Sequence, residues 1–285
     1  MKPFTTKQRQ NMERGEIMTQ QLELKVTDAL KKTDVKFRAK RHHYIVGPSG
    51  IGKSVTVRNT AKKHRIKLIE VIGVATMNAM AIQLATAAYD AKDKDIFVWI
   101  DDCDSVFMDR ISLSVMKGAL DEDRNVFSWN KNMTAQIQIY ENSENEMDQL
   151  RARALRHYQT KDGVGIAIPT DNISFIVTSN HPLAPSNPAP KKARQIDEAA
   201  IRDRVAYAEY NFDRELSWGW TAAVTMKNNI FGLTKTQKRE LVEFLDNHWD
   251  HLPSTSMRAI KELAAEMVNY PENYPDHWLS HLKAA

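Results

Sequence analysis

Residues 47–54 read Gly-Pro-Ser-Gly-Ile-Gly-Lys-Ser, which fits the Walker A pattern of a phosphate-binding loop at every specified position. No other stretch constrains the fold as strongly, because the loop works in one setting only. A buried strand must feed it and a helix must leave it, so that backbone N–H groups and the positive helix end converge on one point. The flanks supply both: Tyr44-Ile45-Val46 ends as a buried strand would, and Ser54 to His64 can continue as a helix despite the β-branched Val55, Thr56 and Val57. The cradle is then Gly47, Pro48, Ser49, Gly50, Ile51 and Gly52, with Val55 opening the helix behind it. Lys53 brings a mobile cation to the β- and γ-phosphates, and the Ser54 hydroxyl is placed to bind Mg²⁺. The expected ligand is a nucleoside triphosphate with Mg²⁺.

Composition removes several alternatives. Hydrophobic residues make up 42% and charged residues 27% of the 285, which is ordinary for a globular chain and excludes a wholly disordered one. The longest apolar run of strand character, Ile96 to Ile100, is far too short to span a bilayer. The first twenty residues hold no apolar stretch, so no secretory signal is expected. Cys103 is the only cysteine, which rules out an intrachain disulfide or a cysteine zinc site and makes the reducing cytoplasm the expected compartment. The net charge of +4 is modest, but residues 1–41 carry eleven Lys or Arg against five Asp or Glu. That excess suits either a solvated basic face or a nucleic-acid contact.

Three regions are expected. Residues 1–40 read as a basic lead-in with a short helix around Leu22, Leu24, Val26 and Leu30. Residues 41–214 alternate strands (66–72, 96–100, 173–178) with helices (76–89, 111–120), predicting an α/β fold with a doubly wound parallel sheet. Within this region, 125–129 and 135–140 read as a strand pair, followed by a charged helix from Glu141 to about Tyr158. Arg151, Arg153, Arg156 and His157 gather on that helix behind Glu141, Glu144, Glu146 and Asp148, so it is either a phosphate contact or a salt-bridged surface. Four prolines between His181 and Pro190 force an extended loop. Residues 215–285 show helical segments near 217–229, 235–249, 256–269 and 274–282, a small all-helical lid domain.

Ile96-Phe97-Val98-Trp99-Ile100 followed by Asp101-Asp102 has the form of a Walker B strand. Asp101 is expected to hold Mg²⁺ and Asp102 to act as general base toward the attacking water, with Asp104 nearby.

With both elements in place the chain resembles the AAA+ ATPases from about Arg41 to its C-terminus. Ser174-Phe-Ile-Val-Thr-Ser-Asn180 looks like the sensor 1 strand, which implies that Asn180 contacts the γ-phosphate or the attacking water. Asp197-Glu-Ala-Ala-Ile-Arg-Asp-Arg204 resembles the segment that carries an arginine finger into a neighbouring subunit's site. Arg202 has Glu198 four residues earlier and Arg204 has no such partner, so Arg204 is taken as the freer cation and the finger. Pro253-Ser-Thr-Ser-Met-Arg258 resembles sensor 2 at the start of a lid helix, where a cation in the first turn needs an anion to offset the helix dipole. Asp101–Phe107, Leu113–Asp121 and Phe127–Trp129 look closer still to AAA+ ATPases of tailed bacteriophages, related to clamp-loader and helicase-loader ATPases. The resemblance implies a homo-oligomeric ring that remodels a partner, DNA or a protein client, in the host cytoplasm.

Two departures qualify it. Many AAA+ enzymes have Asp-Glu where this chain has Asp101-Asp102, and moving the base by one methylene is enough to slow hydrolysis. Gly73 to Asn78 carries no aromatic residue of the kind that unfoldases use to grip polypeptide. An ATP-gated scaffold and a P-loop nucleotide kinase are the remaining alternatives.

Overall fold

The computed structural model describes residues 3–30, 41–73, 76–92, 94–103, 106–107, 109–187, 192–252, 257–272 and 276. The strands are β1 (His42–Val46), β2 (Leu68–Ile72), β3 (Ile96–Asp101), β4 (Val126–Trp129), β5 (Ile166–Pro169), β6 (Ile173–Ser179) and β7 (Val205–Glu209). The helices are α1 (Thr6–Ala29), α2 (Lys53–Lys63), α3 (Met77–Ala91), α4 (Arg110–Ala119), α5 (Thr134–Glu141), α6 (Glu146–His157), α7 (Ala193–Arg204), α8 (Arg214–Lys227), α9 (Lys235–His248) and α10 (Met257–Asn269). They form two compact units interleaved along the sequence: Lys25–Val46 with Val57–Glu209, and Met1–Leu24 with Gly47–Thr56 and Tyr210–Ala285.

The first unit is an α/β layer built on a five-stranded sheet in the order β2-β3-β6-β1-β7, with every pair parallel. Every residue of β1, β3 and β6 is buried, whereas edge strands β2 and β7 are only partly covered, as expected when helices cover both faces. Leu84, Val98, Ile100, Leu113, Phe175 and Val177 belong to one continuous core. β7 follows α7 without a turn residue between them. Its sequence, Val205-Ala-Tyr-Ala-Glu, carries no punctuation that separates it from the helix, so it escapes a sequence reading.

The segment between β3 and β6 departs from expectation. β4 pairs antiparallel with β5, Phe127 opposite Ile168 and Trp129 opposite Ile166, and residues 134–141 form helix α5 instead of the second strand. Ala-Gln-Ile-Gln-Ile-Tyr alternates like a strand, yet only one of its isoleucines is enclosed: Ile137 is fully buried and Ile139 is 63% exposed. The charged helix begins later than expected, because Asn145 caps α6 by accepting from the backbone N–H of Met147 at 2.8 Å and of Asp148 at 3.4 Å.

The second unit is helical. Trp218, Leu241, Leu245, Ile260, Leu263 and Met267 form its core, and Phe4 and Met12 pack against it. Asp213 caps α8 through Leu216 N, and Thr234 with Gln237 makes a capping box on α9. The expected helix near 274–282 and residues 253–256 lie outside the described residues apart from Asp276. The short helix expected in the lead-in is instead the 24-residue α1. Leu22, Val26 and Leu30 are buried four residues apart and Leu24 is 70% exposed, a helical stripe that the polar surroundings obscure.

Within this unit α1 and α8 cross closely. A Cβ on Gly219 would lie 2.1 Å from the Asn11 carbonyl oxygen, and one on Gly15 would lie 2.4 Å from Trp220 Cα. Both obstacles are backbone, which no side-chain rotation relieves. Gly219→Ala is therefore expected to destabilise the protein by about 1–3 kcal/mol, read as a lower melting midpoint. An unchanged midpoint would show that the helices separate at no cost.

Candidate functional site

The expected site residues of the sheet unit lie at the carboxyl edge of the sheet. The strand registers place Ile72 beside Asp101, Asp101 beside Thr178, Ser179 beside Val46 and Val46 beside Glu209. The ends of all five strands thus form one row, the edge where open parallel sheets hold their ligands.

Asp101 is 5% exposed and its Oδ1 accepts a 2.5 Å hydrogen bond from Thr178 Oγ1. Thr178 in turn accepts from Trp99 Nε1 at 2.8 Å. An indole, a hydroxyl and a carboxylate therefore run in series across β3 and β6 and fix the Asp101 rotamer. Thr178 and Trp99 are residues that sequence reasoning passed over. Their signal was a threonine hydroxyl at the end of the apolar strand 173–178, which needs a partner when buried.

Asp102 lies just beyond β3 with φ of 50°, in the left-handed region that Asp and Asn tolerate better than most residues. It is exposed, and its Oδ1 accepts from Asn180 Nδ2 at 3.3 Å. The two expected water-handling residues thus meet off the ends of neighbouring strands. Asp104 lies outside the described residues.

The loop itself belongs to the helical unit. Gly50 and Gly52 have φ of 85° and 84°, a conformation that costs glycine nothing and that turns successive amides to one side. A Cβ on Gly47 would meet Ile51 Cδ1 at 2.6 Å. Lys53 is 5% exposed and its ammonium donates to the carbonyls of Gly47 at 2.7 Å and Pro48 at 3.0 Å, held across the mouth of the loop. Ser54 is half-buried in the first turn of α2, Pro48 and Ser49 are exposed, and Val55 is 58% exposed. Turned amides, an ammonium and a hydroxyl suit a polyphosphate. A carboxylate at the end of a strand suits Mg²⁺, which takes one or two carboxylates and completes its shell with phosphate and water.

The arginines are arranged otherwise than expected. Arg204 is not the freer cation: its Nε and Nη2 reach Asp121 Oδ2 at 2.9 and 2.8 Å, and its Nη1 donates to the Ala200 carbonyl at 2.7 Å. The Arg124 backbone N–H and then the Arg204 guanidinium hold the Asp121 carboxyl below the usual carboxylate range. Glu198 does not pair with Arg202; it binds Arg194 at 2.6 Å. Arg202 stacks 3.9 Å over the Tyr207 ring and donates to the Leu183 carbonyl. Burial, then the Glu209 charge, pushes the Tyr207 hydroxyl up to about 12. Sequence distance hid Asp121 and Tyr207, since an i,i+4 comparison sees one helix only. Arg258 is the second residue of α10 and exposed, with no ion pair to a described residue.

Comparison with protein families matches residues 43–204 to the ATPase family associated with various cellular activities (AAA). No curated protein matches the chain. No helix among the described residues is long and apolar enough to cross a membrane.

Proposed function

Because this chain belongs to the AAA family of ATPases, we propose that it binds ATP with Mg²⁺, hydrolyses the ATP at interfaces within a ring of its own copies, and uses that cycle to remodel a partner in phage DNA metabolism. The loop amides and Lys53 hold the phosphates, and Arg258 adds a charge from the lid. Ser54 and Asp101 would hold Mg²⁺, which offsets phosphate charge. Asp102 takes the proton of the attacking water while Asn180 orients it. Arg204 exchanges Asp121 for the neighbour's γ-phosphate, a fork-shaped cation passing between two sets of anionic oxygens.

The observation that most supports this reading is the Asp102–Asn180 contact at the end of a strand whose preceding acid, Asp101, is buried. The DNA context rests on the phage-type and clamp-loader-type resemblance and on the basic excess before residue 41. A second reading is an ATP-gated scaffold, favoured by the short reach of Asp102 where many relatives carry Glu.

Phosphate release measured against protein concentration separates these. Turnover per subunit is expected to rise with concentration, because one copy completes another's site. Arg204→Ala should bind ATP normally and turn it over about 10³-fold more slowly. Asp121→Asn, which weakens the same ion pair but keeps Arg204, should retain activity and so distinguishes a lost finger from a lost fold. Mixing Arg204→Ala with Lys53→Ala should restore some turnover, since an intact pocket then meets an intact finger. A concentration-independent rate with no recovery would identify a self-contained monomer, and a low rate at every concentration would favour the scaffold.

A further inference from the structure

Helix α6 packs against α3 and leaves a cleft of about 560 Å³ that opens to solvent, lined by Tyr89, Glu141, Gln149, Arg153, Arg156 and His157. Its size falls within the range of small-ligand sites, and none of these residues has a part in the nucleotide chemistry above. Its charges are unequally committed. Arg156 grips Glu141 with both arms of the guanidinium, Nε to Oε1 at 2.9 Å and Nη2 to Oε2 at 3.2 Å, and this fork holds the Glu141 carboxyl below its usual range. Arg153 is exposed, and its guanidinium has neither an ion pair nor a hydrogen bond to any described residue. His157, one helical turn further on, meets the Tyr89 ring edge-on at 5.4 Å and the Tyr158 ring at 4.7 Å.

An uncommitted guanidinium beside a group of rings matches a ligand that carries both an anion and a flat aromatic face. With Arg156 neutralised by Glu141, the cleft presents one fixed positive charge. That suits the single negative charge of a phosphodiester and is poorly matched to the several charges of a free triphosphate. We propose that the α3–α6 cleft takes one nucleotide unit of a single-stranded nucleic acid, its phosphate on Arg153 and its base on the Tyr89–His157 rings. A paired base is unavailable for such stacking, so the strand must be single. This assignment rests on the reading that the partner is DNA, and it places that partner on the segment between β3 and β6.

The test is fluorescence anisotropy of a labelled oligothymidylate across a salt series, using the full chain with ATP, with ADP and without nucleotide. Arg153→Ala is expected to lower the salt slope by about one counterion. Arg153→Glu and His157→Ala should each weaken binding about tenfold, and a ring multiplies the loss because every copy carries the cleft. Both side chains are exposed, so unchanged melting midpoints will certify the fold. Wild-type affinity and salt slope in all three variants would overturn the cleft assignment while leaving the DNA reading intact. A wild-type protein that binds no single strand at low salt in any nucleotide state would overturn both.

Discussion

Replacing Lys53 by Ala is expected to weaken ATP binding about 10- to 150-fold, the equivalent of one charge-assisted contact worth roughly 1.5–3 kcal/mol. The ammonium reaches the Gly47 and Pro48 carbonyls through a side chain that is itself nearly enclosed, so it is already confined to the loop. Little conformational entropy remains to be lost when phosphate replaces those carbonyls. The loop shape has supports besides the ammonium. They are the positive φ of Gly50 and Gly52 and the helical bond of Thr56 N to the Gly52 carbonyl at 2.8 Å. Titration with a fluorescent ATP analogue gives the readout, and wild-type affinity in the variant would remove Lys53 from the site.

Asp102→Asn should leave ATP affinity near that of wild type and reduce turnover about 10²- to 10⁴-fold, the contribution of a positioned general base. The substitution is well controlled. Asn tolerates the left-handed backbone at this position as Asp does, and its amide oxygen still accepts from Asn180. What it loses is the capacity to take a proton. Asp102→Ala would confuse this result by adding backbone strain, so the isosteric change is the informative one. Unchanged phosphate release would exclude Asp102 as the base.

Most of the α/β framework was legible because its signals are local. An apolar run bounded by charges reads as a covered strand, and strands at 96–100 and 173–178 appear where they were expected, extended by one residue to Asp101 and Ser179. The loop was legible for a related reason: glycine spacing encodes backbone conformation directly. Failures came where local pattern and enclosure disagreed. Residues 135–140 alternate like a strand but enclose only one of their two isoleucines, Ile137, and Val126–Trp129 found its partner some forty residues later, as the β4–β5 register shows. Edge strand β7 is too short and too continuous with α7 to announce itself.

The arginines show the same division from the side of function. Ranking Arg202 against Arg204 by neighbours on one helix gave the wrong partners for both. The carboxylate that holds Arg204 comes from Asp121, 83 residues away, and the ring under Arg202 comes from the strand that follows. The sequence alone determined which chemical groups the chain owns and which backbone turns it can make, since both are properties of a residue and its nearest neighbours. Only the tertiary structure decided which groups meet, the Trp99–Thr178–Asp101 series, the Asp102–Asn180 contact and the Arg204–Asp121 pair among them. Each joins residues far apart in the chain, and such a contact exists only once the sheet has brought their strands and helices together.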